Sequence, residues 1–304
     1  MTTRKPESSR PVTGVLWMLL TGLCFVCMTA LVKVIGSSLH PVQTGFLRYF
    51  LGLIFILPLL PTVLGTRLTS RQWGLFGLRG VLHSAAVVLW FFAMTQIPLA
   101  EVTAMNYMTP VYVTLGAVLF LGERLAARRI TAVLVALAGA LIILRPGFRE
   151  ISPGHLAMLG ATLVLGGSYL LAKVMVDQLS PAVVMVHMTV WVTIFLAPLA
   201  IAVWTPPTLP ELGVLFLIAS FATAGHFAMT LALRAAPLAV TQPVTFVQLI
   251  WSVALGALIF NEGLDLWVIT GGAVILASVS FITWRETVLK RRSETQGSTE
   301  SQVP

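Results

Sequence analysis

Residues 31–41 read Leu31-Val-Lys-Val-Ile-Gly-Ser-Ser-Leu-His-Pro41, and residues 171–181 read Leu171-Ala-Lys-Val-Met-Val-Asp-Gln-Leu-Ser-Pro181. Leu, Lys, Val, Leu and Pro recur at a spacing of 140. Ile54-Phe55 and Pro58-Leu59 match Ile194-Phe195 and Pro198-Leu199 at the same spacing. After one deletion the spacing becomes 139: Pro98-Leu-Ala100 matches Pro237-Leu-Ala239, Glu123 matches Glu262, and Ile130-Thr131 matches Ile269-Thr270. A run of matches on one offset, broken once, marks the chain as two homologous halves.

What the repeated unit is follows from hydropathy. Of 304 residues, 57% are hydrophobic and 10% charged, where a soluble domain carries about 25% charged residues. So little charge cannot cover a surface facing water. A bilayer-spanning helix takes about 20 predominantly apolar residues. Ten such runs are present: 14–36, 43–61, 73–95, 102–121, 130–146, 154–176, 182–203, 212–235, 239–260 and 266–284. The expected fold is an all-α polytopic membrane protein. Five helices (14–146) form the first repeat and five (154–284) the second, flanked by polar, structureless ends at 1–13 and 285–304. Five is odd, so the second repeat enters the membrane from the opposite side, giving inverted repeats.

Lys and Arg set the orientation. With the N-terminus in the cytoplasm, the inside holds twelve: Arg4, Lys5, Arg10, Arg67, Arg71, Arg124, Arg128, Arg129, Arg285, Lys290, Arg291 and Arg292. The outside holds Arg145 and Arg149, and Lys33, Arg48, Arg79, Lys173 and Arg234 lie within helices. The net charge of +8 therefore reads as membrane orientation and implies no nucleic-acid partner. Both termini are expected in the cytoplasm of a bacterial inner membrane. The first apolar run exceeds the core of a cleavable signal peptide and reads as a retained anchor. Cys24 and Cys27 fall inside that run, where a thiol is hard to ionise, and are read as packing residues.

Intramembrane polar residues are costly in lipid and are functional candidates by default. In the fourth run Thr103, Asn106, Tyr107 and Pro110 share a helical face, matched in the ninth by Gln242, Thr245 and Phe246. A polar-aromatic face on both copies points to a cavity lining; interhelical hydrogen bonding is the plainer alternative. In the third run Arg79, His83, Ala86 and Trp90 share a face, and in the eighth Thr223, His226 and Thr230 do so. His83 and His226 fall near mid-span and can bind solute, exchange a proton or simply pack. Trp90, Tyr107, Tyr112, Tyr169, Phe246 and Trp251 would give a cavity an aromatic wall. Arg79, Lys33 and Lys173 read as snorkelling residues, and Glu123 and Glu262 as helix-end residues pairing with cations or caps. Ala132, Ala136 and Ala140, with Ala273 and Ala277, form small-residue stripes suited to close packing or a homodimer seam.

The chain also resembles the EamA-type members of the drug/metabolite transporter superfamily. The resemblance is carried by the five-plus-five organisation, Arg48 in the second helix, Pro98-Leu-Ala100, Pro110, and Leu121-Gly-Glu-Arg-Leu125 with its echo Phe260-Asn-Glu-Gly-Leu264. It implies a secondary carrier of a small metabolite, with a cavity lined by the fourth and ninth helices. Arg48, Arg79, Pro110, Glu123 and Glu262 take structural or gating roles in that reading. One departure is Met188, which stands 140 residues after Arg48. No metal, cofactor or catalytic constellation is expected. A channel would want a filter or a ring of charge, and a membrane enzyme a metal cluster or a nucleophile with its base. His40, His83, His155, His187 and His226 are scattered, and none of the eleven acidic residues is mid-span.

The topology is testable by labelling Glu150→Cys, in a background lacking Cys24 and Cys27, with a membrane-impermeant maleimide. Labelling is expected from the outer face; labelling from the cytoplasmic face alone would overturn the orientation.

Overall fold

The computed structural model describes residues 11–300 apart from 37, 122–126, 149, 177, 237–240 and 242. Every regular element among them is helical. The first half comprises α1 (Pro11–Ile35), α2 (Pro41–Ile56), which runs through the 3-10 turn Leu57–Leu59 into α3 (Leu60–Leu64), α4 (Ser70–Gln96), α5 (Leu99–Asn106), α6 (Thr109–Leu121) and α7 (Ala127–Leu144). The second comprises α8 (Pro153–Val176), α9 (Pro181–Ala202), α10 (Leu209–Ala235), α11 (Phe246–Phe260), entered through the 3-10 turn Pro243–Thr245, and α12 (Leu266–Glu300). Seven stretches are long and apolar enough to cross a bilayer, and Ile130–Leu144, Phe246–Phe260 and Leu266–Phe281 are shorter apolar helices.

Local chemistry explains where the helices start. Pro41 and Pro181 occupy the first turns of α2 and α9, capped by the side chains of His40 and Ser180. Proline suits the first turn because its missing N–H would be unpaired there anyway. Thr69 with Gln72 and Thr208 with Glu211 close reciprocal capping boxes on α4 and α10. These caps fall on the same 140 and 139 offsets as the residue matches.

Three expectations change. The first helix begins at Pro11, inside the expected N-terminal tail. The C-terminal segment 285–300 is helical: residues 285–296 contain no Gly or Pro, and a helix already nucleated at Leu266 propagates cheaply through such residues. The fourth apolar run is two helices, divided at Tyr107 and Met108. Pro110 cannot donate to the carbonyl of Asn106, and its ring crowds that carbonyl.

The main packing pairs all join one half to the other: α1 with α10, α4 with α8, α7 with α12, and α2 with α9. Met28, Phe91, Met94, Met105, Met108, Leu196, Leu215, Leu249 and Ile275 form the shared apolar core. Leu16, Leu20 and Leu23 on α1 and Leu134 and Leu141 on α7 remain exposed on the outer surface, a face suited to acyl chains. Between helices in lipid, association rests on close van der Waals packing. The α7–α12 seam shows this directly. A Cβ on Gly139 would lie 2.7 Å from Ile275 Cγ1 and 2.8 Å from the Gly271 carbonyl oxygen. Ala132, Ala136 and Ala140 are buried in the seam, and Ser278 Oγ donates to the Ala132 carbonyl. The first small-residue stripe thus serves packing within the chain. Its partner on α12 is the face of Gly271, Ile275 and Ser278, while Ala277 is exposed.

Gly139→Ala is expected to lower the melting temperature of the detergent-solubilised protein, overpacking the seam by about 1–3 kcal/mol. Gly74→Ala, where a Cβ meets nothing within 4 Å, is expected to leave it unchanged or raise it. Equal melting temperatures would contradict the seam.

Candidate functional site

The break between α5 and α6 and the 3-10 turn that enters α11 lie side by side. Tyr107, at the end of α5, donates its hydroxyl to the carbonyl of Thr245 at 2.8 Å, joining the α5–α6 break to the 3-10 turn that enters α11. Irregular backbone at membrane depth is tolerated only where protein buries it or it lines a cavity. Here it borders a cavity of about 520 Å³. Side chains from both halves line it: Thr21 and Phe25 of α1, Arg48 and Tyr49 of α2, His83 and Trp90 of α4, Asn106 and Tyr107 of α5, Thr162 and Tyr169 of α8, His226 of α10 and Gln248 of α11. None of its lining residues is Asp, Glu or Lys.

One wall is a hydrogen-bonded series. His83 shares one proton between Nε2 and the Tyr49 hydroxyl at 2.8 Å, and another between Nδ1 and Ser168 Oγ at 3.0 Å. The Arg48 guanidinium stacks on the far side of this series, its Cζ 4.0 Å from the Tyr49 ring centroid. Trp90 lines the cavity with a buried, unpaired indole Nε1. Opposite, His226 is held by its own helix, Nδ1 to the Ala222 carbonyl at 2.7 Å, with Phe25 edge-on to its ring. The cavity therefore combines flat apolar surfaces with a few fixed polar groups, the usual make-up of a small-molecule site.

Of the residues expected to contact a solute, His83, Trp90, Asn106, Tyr107, Tyr169, His226 and Thr245 line this cavity, as does Pro110. Thr103 does not. Its hydroxyl pairs with Ser252 Oγ at 2.6 Å and both are buried; α5 packs on α11, and Thr103 lies on that seam. Phe246 packs against the central apolar core, and Trp251 against Val26, Ala30 and Leu99. Gln242 and Glu123 lie outside the described residues. Arg79 does not snorkel: it is buried and donates to the Val184 carbonyl at 3.0 Å and to Met188 Sδ at 3.2 Å. Arg48, expected as a structural or gating residue, is in the lining. Tyr49, Thr21, Thr162 and Gln248 were not anticipated. None of them belongs to a polar face read from the sequence; adjacency to Arg48 is the available clue for Tyr49.

At the helix ends opposite the chain termini, four contacts tie the halves together. Lys33 forms an ion pair with Glu262 and also donates to the Ile97 carbonyl at 2.9 Å. Glu262 in turn accepts from the Leu99 N–H at 2.9 Å. His155 Nε2 meets Glu101 Oε2 at 2.6 Å, and Arg145 pairs with Asp265. Asn261, in the left-handed region at φ 53°, ends α11 so that Glu262 turns back over the helix end, its N–H on the Gly256 carbonyl at 3.0 Å. Lys33, expected to reach for water, is instead a half-buried cross-half tether.

The sequence profile of the EamA-like transporter family matches residues 12–145 and again residues 152–284. The chain belongs to this family. It is similar to the riboflavin transporter of Vibrio cholerae, with 31% identity over 93% of this chain and 96% of the relative. It is also similar to the S-adenosylmethionine uptake transporter of Rickettsia conorii, with 25% identity over 94% and 97%. A third relative, the pseudopaline exporter CntI of Pseudomonas aeruginosa, shares 28% identity over 88% and 94%. A solved crystal structure superposes with a TM-score of 0.57 at 17% identity, covering 93% of this chain and 97% of the other, and supports the fold. The chain is thus a multi-pass membrane transporter and not an enzyme.

Thr103→Val is expected to lower thermal stability by about 1–3 kcal/mol by leaving the Ser252 hydroxyl unpaired. Adding Ser252→Ala is expected to restore most of the loss. Two losses that simply add would show that the hydroxyls do not pair.

Proposed function

We propose that this protein is a secondary carrier that moves a small metabolite across the bacterial inner membrane by alternating access. The single observation that carries this reading is the cavity: it lies between the halves, is lined by both, and is tied shut by cross-half contacts at one end. In this reading the ten apolar segments are two inverted five-helix repeats with both termini cytoplasmic. The Lys33–Glu262, Arg145–Asp265 and His155–Glu101 contacts then close the outer side. Thr114 and Thr283, which also line the cavity, lie on the inner side. The main helix pairs, each joining one half to the other, support an inverted repeat whose halves can rock about the cavity. The relatives suggest the first solutes to try: riboflavin, S-adenosylmethionine and pseudopaline.

Coupling is proposed to be facilitated or exchange-type. A proton relay built on carboxylates needs one near mid-membrane, and among the described residues no acidic one lines the cavity. The competing reading is proton coupling through His83 or His226, favoured by the placement of both in the lining. Uptake of labelled riboflavin or S-adenosylmethionine into proteoliposomes preloaded with the same solute separates the two. Saturable counterflow that persists with a protonophore present is expected. Its loss under those conditions would end the exchange reading, and solute-dependent alkalinisation abolished by His226→Ala would establish the histidine route.

A further inference from the structure

Arg48 is a cation without an anion. An arginine side chain stays protonated in proteins, so burying one inside a membrane protein normally requires a partner. Among the described residues the Arg48 guanidinium makes no hydrogen bond and no ion pair; its Nε is buried and unpaired, and its one protein contact of note is the face of Tyr49. Two other intramembrane cations differ. Arg79 is spent on Val184 and Met188, and Lys33 on Glu262. Among the described residues, Glu101 is engaged with His155, Glu262 with Lys33 and Asp265 with Arg145, and none of these acids lines the cavity.

The repeat supplies an internal control on whether the fold itself needs this charge. The position 140 residues on holds Met188, on α9, the helix against which α2 packs. One copy of the repeated unit thus folds with an uncharged thioether where the other keeps a guanidinium. Packing does not explain Arg48, and neither does membrane orientation, since it lies within a helix and faces the cavity. Its surroundings hold it in a fixed attitude: Tyr49 under it is anchored through its hydroxyl to His83, and His83 to Ser168. A guanidinium so held offers its planar fork of N–H donors to a carboxylate or phosphate.

We propose that Arg48 is the oxyanion receptor of the cavity and that the solutes carried are organic anions in which a carboxylate or phosphate is joined to a flat ring system. The oxyanion sits on the Arg48 fork, and the ring lies along Phe25, Trp90 and Tyr107. The assignment rests on the carrier reading above and narrows its substrate class. With no acidic residue among the described lining to balance it, Arg48 raises the potential in the cavity, so a neutral solute of equal shape forgoes the strongest contact the site offers.

The test uses the full-length protein in detergent and two ring-matched pairs: flavin mononucleotide with riboflavin, and indole-3-acetate with indole-3-acetamide. The first pair probes phosphate and the second carboxylate. The thermal shift is measured against ligand concentration for the wild type, Arg48→Met, which installs the residue found at position 188, and Arg48→Lys. The anionic member of at least one pair is expected to bind roughly 10- to 100-fold more tightly than its neutral partner, the range for a charge-assisted hydrogen bond. Arg48→Met, with a ligand-free melting curve that shows it folded, is expected to lose that preference, and Arg48→Lys to recover part of it. Equal binding of both members of each pair, a preference that survives in Arg48→Met, or no shift with any of the four compounds would overturn the proposal. If Arg48→Met does not fold, Arg48→Lys decides: a preference undiminished from wild type overturns the proposal and a reduced one supports it. Wild-type counterflow measured alongside separates the two claims: flux of riboflavin without anion preference removes the receptor and keeps the carrier, whereas anion-selective binding with no flux of any member removes the carrier and keeps the receptor.

Discussion

Hydrocarbon offers no hydrogen bonds, so a chain that crosses it must satisfy each backbone N–H and C=O from within the protein. That constraint makes every described element of this chain helical and decides where irregular backbone can occur. The α5–α6 break at Tyr107 and Met108 and the 3-10 turn at Pro243–Thr245 are placed where each supports the other, through the Tyr107–Thr245 hydrogen bond. The irregular backbone there borders the cavity and puts Asn106, Tyr107 and Thr245 in its lining.

Cross-half contacts are of two kinds. Small residues and aliphatic chains pack closely, as where Gly139 and Gly271 bring α7 and α12 nearly into backbone contact. At the end remote from the chain termini the contacts are ion pairs and hydrogen bonds: Lys33–Glu262, Glu262–Leu99, Glu101–His155 and Arg145–Asp265. Polar contacts of this kind can be exchanged for water at an interface far more cheaply than in the hydrocarbon core.

The cavity's chemistry is lopsided. Arg48, Tyr49 and His83 cluster on one wall, backed by Ser168, and no acidic side chain among the described residues answers them. In the second half Met188 stands at the position related to Arg48, where it receives a hydrogen bond from Arg79. Two homologous halves have therefore kept the same helical scaffold and diverged in the charge they present. The shared residues, such as the capping pairs Thr69–Gln72 and Thr208–Glu211, are those that define helix ends.

The sequence by itself determined the helices, their order and the repeat, because bilayer crossing is a local property: about 20 apolar residues suffice, and Pro41, Pro181, Thr69 and Thr208 mark helix starts without reference to anything distant. It also singled out His83, Trp90, Asn106, Tyr107 and His226, which the structure brings to one cavity, since polar residues in apolar helices are few and stand out. Only the tertiary structure decided how each was used. Thr103 lies on the same apparent face as Asn106, yet the break after Asn106 and the approach of Ser252 draw it into a helix seam. Lys33 and Arg79 look alike as intramembrane cations, and so does Arg48. Which of them finds a partner depends on side chains more than 100 residues away, such as Val184 for Arg79 and Glu262 for Lys33. Periodicity reports the face of one helix; what that face meets is set by the helix packed against it.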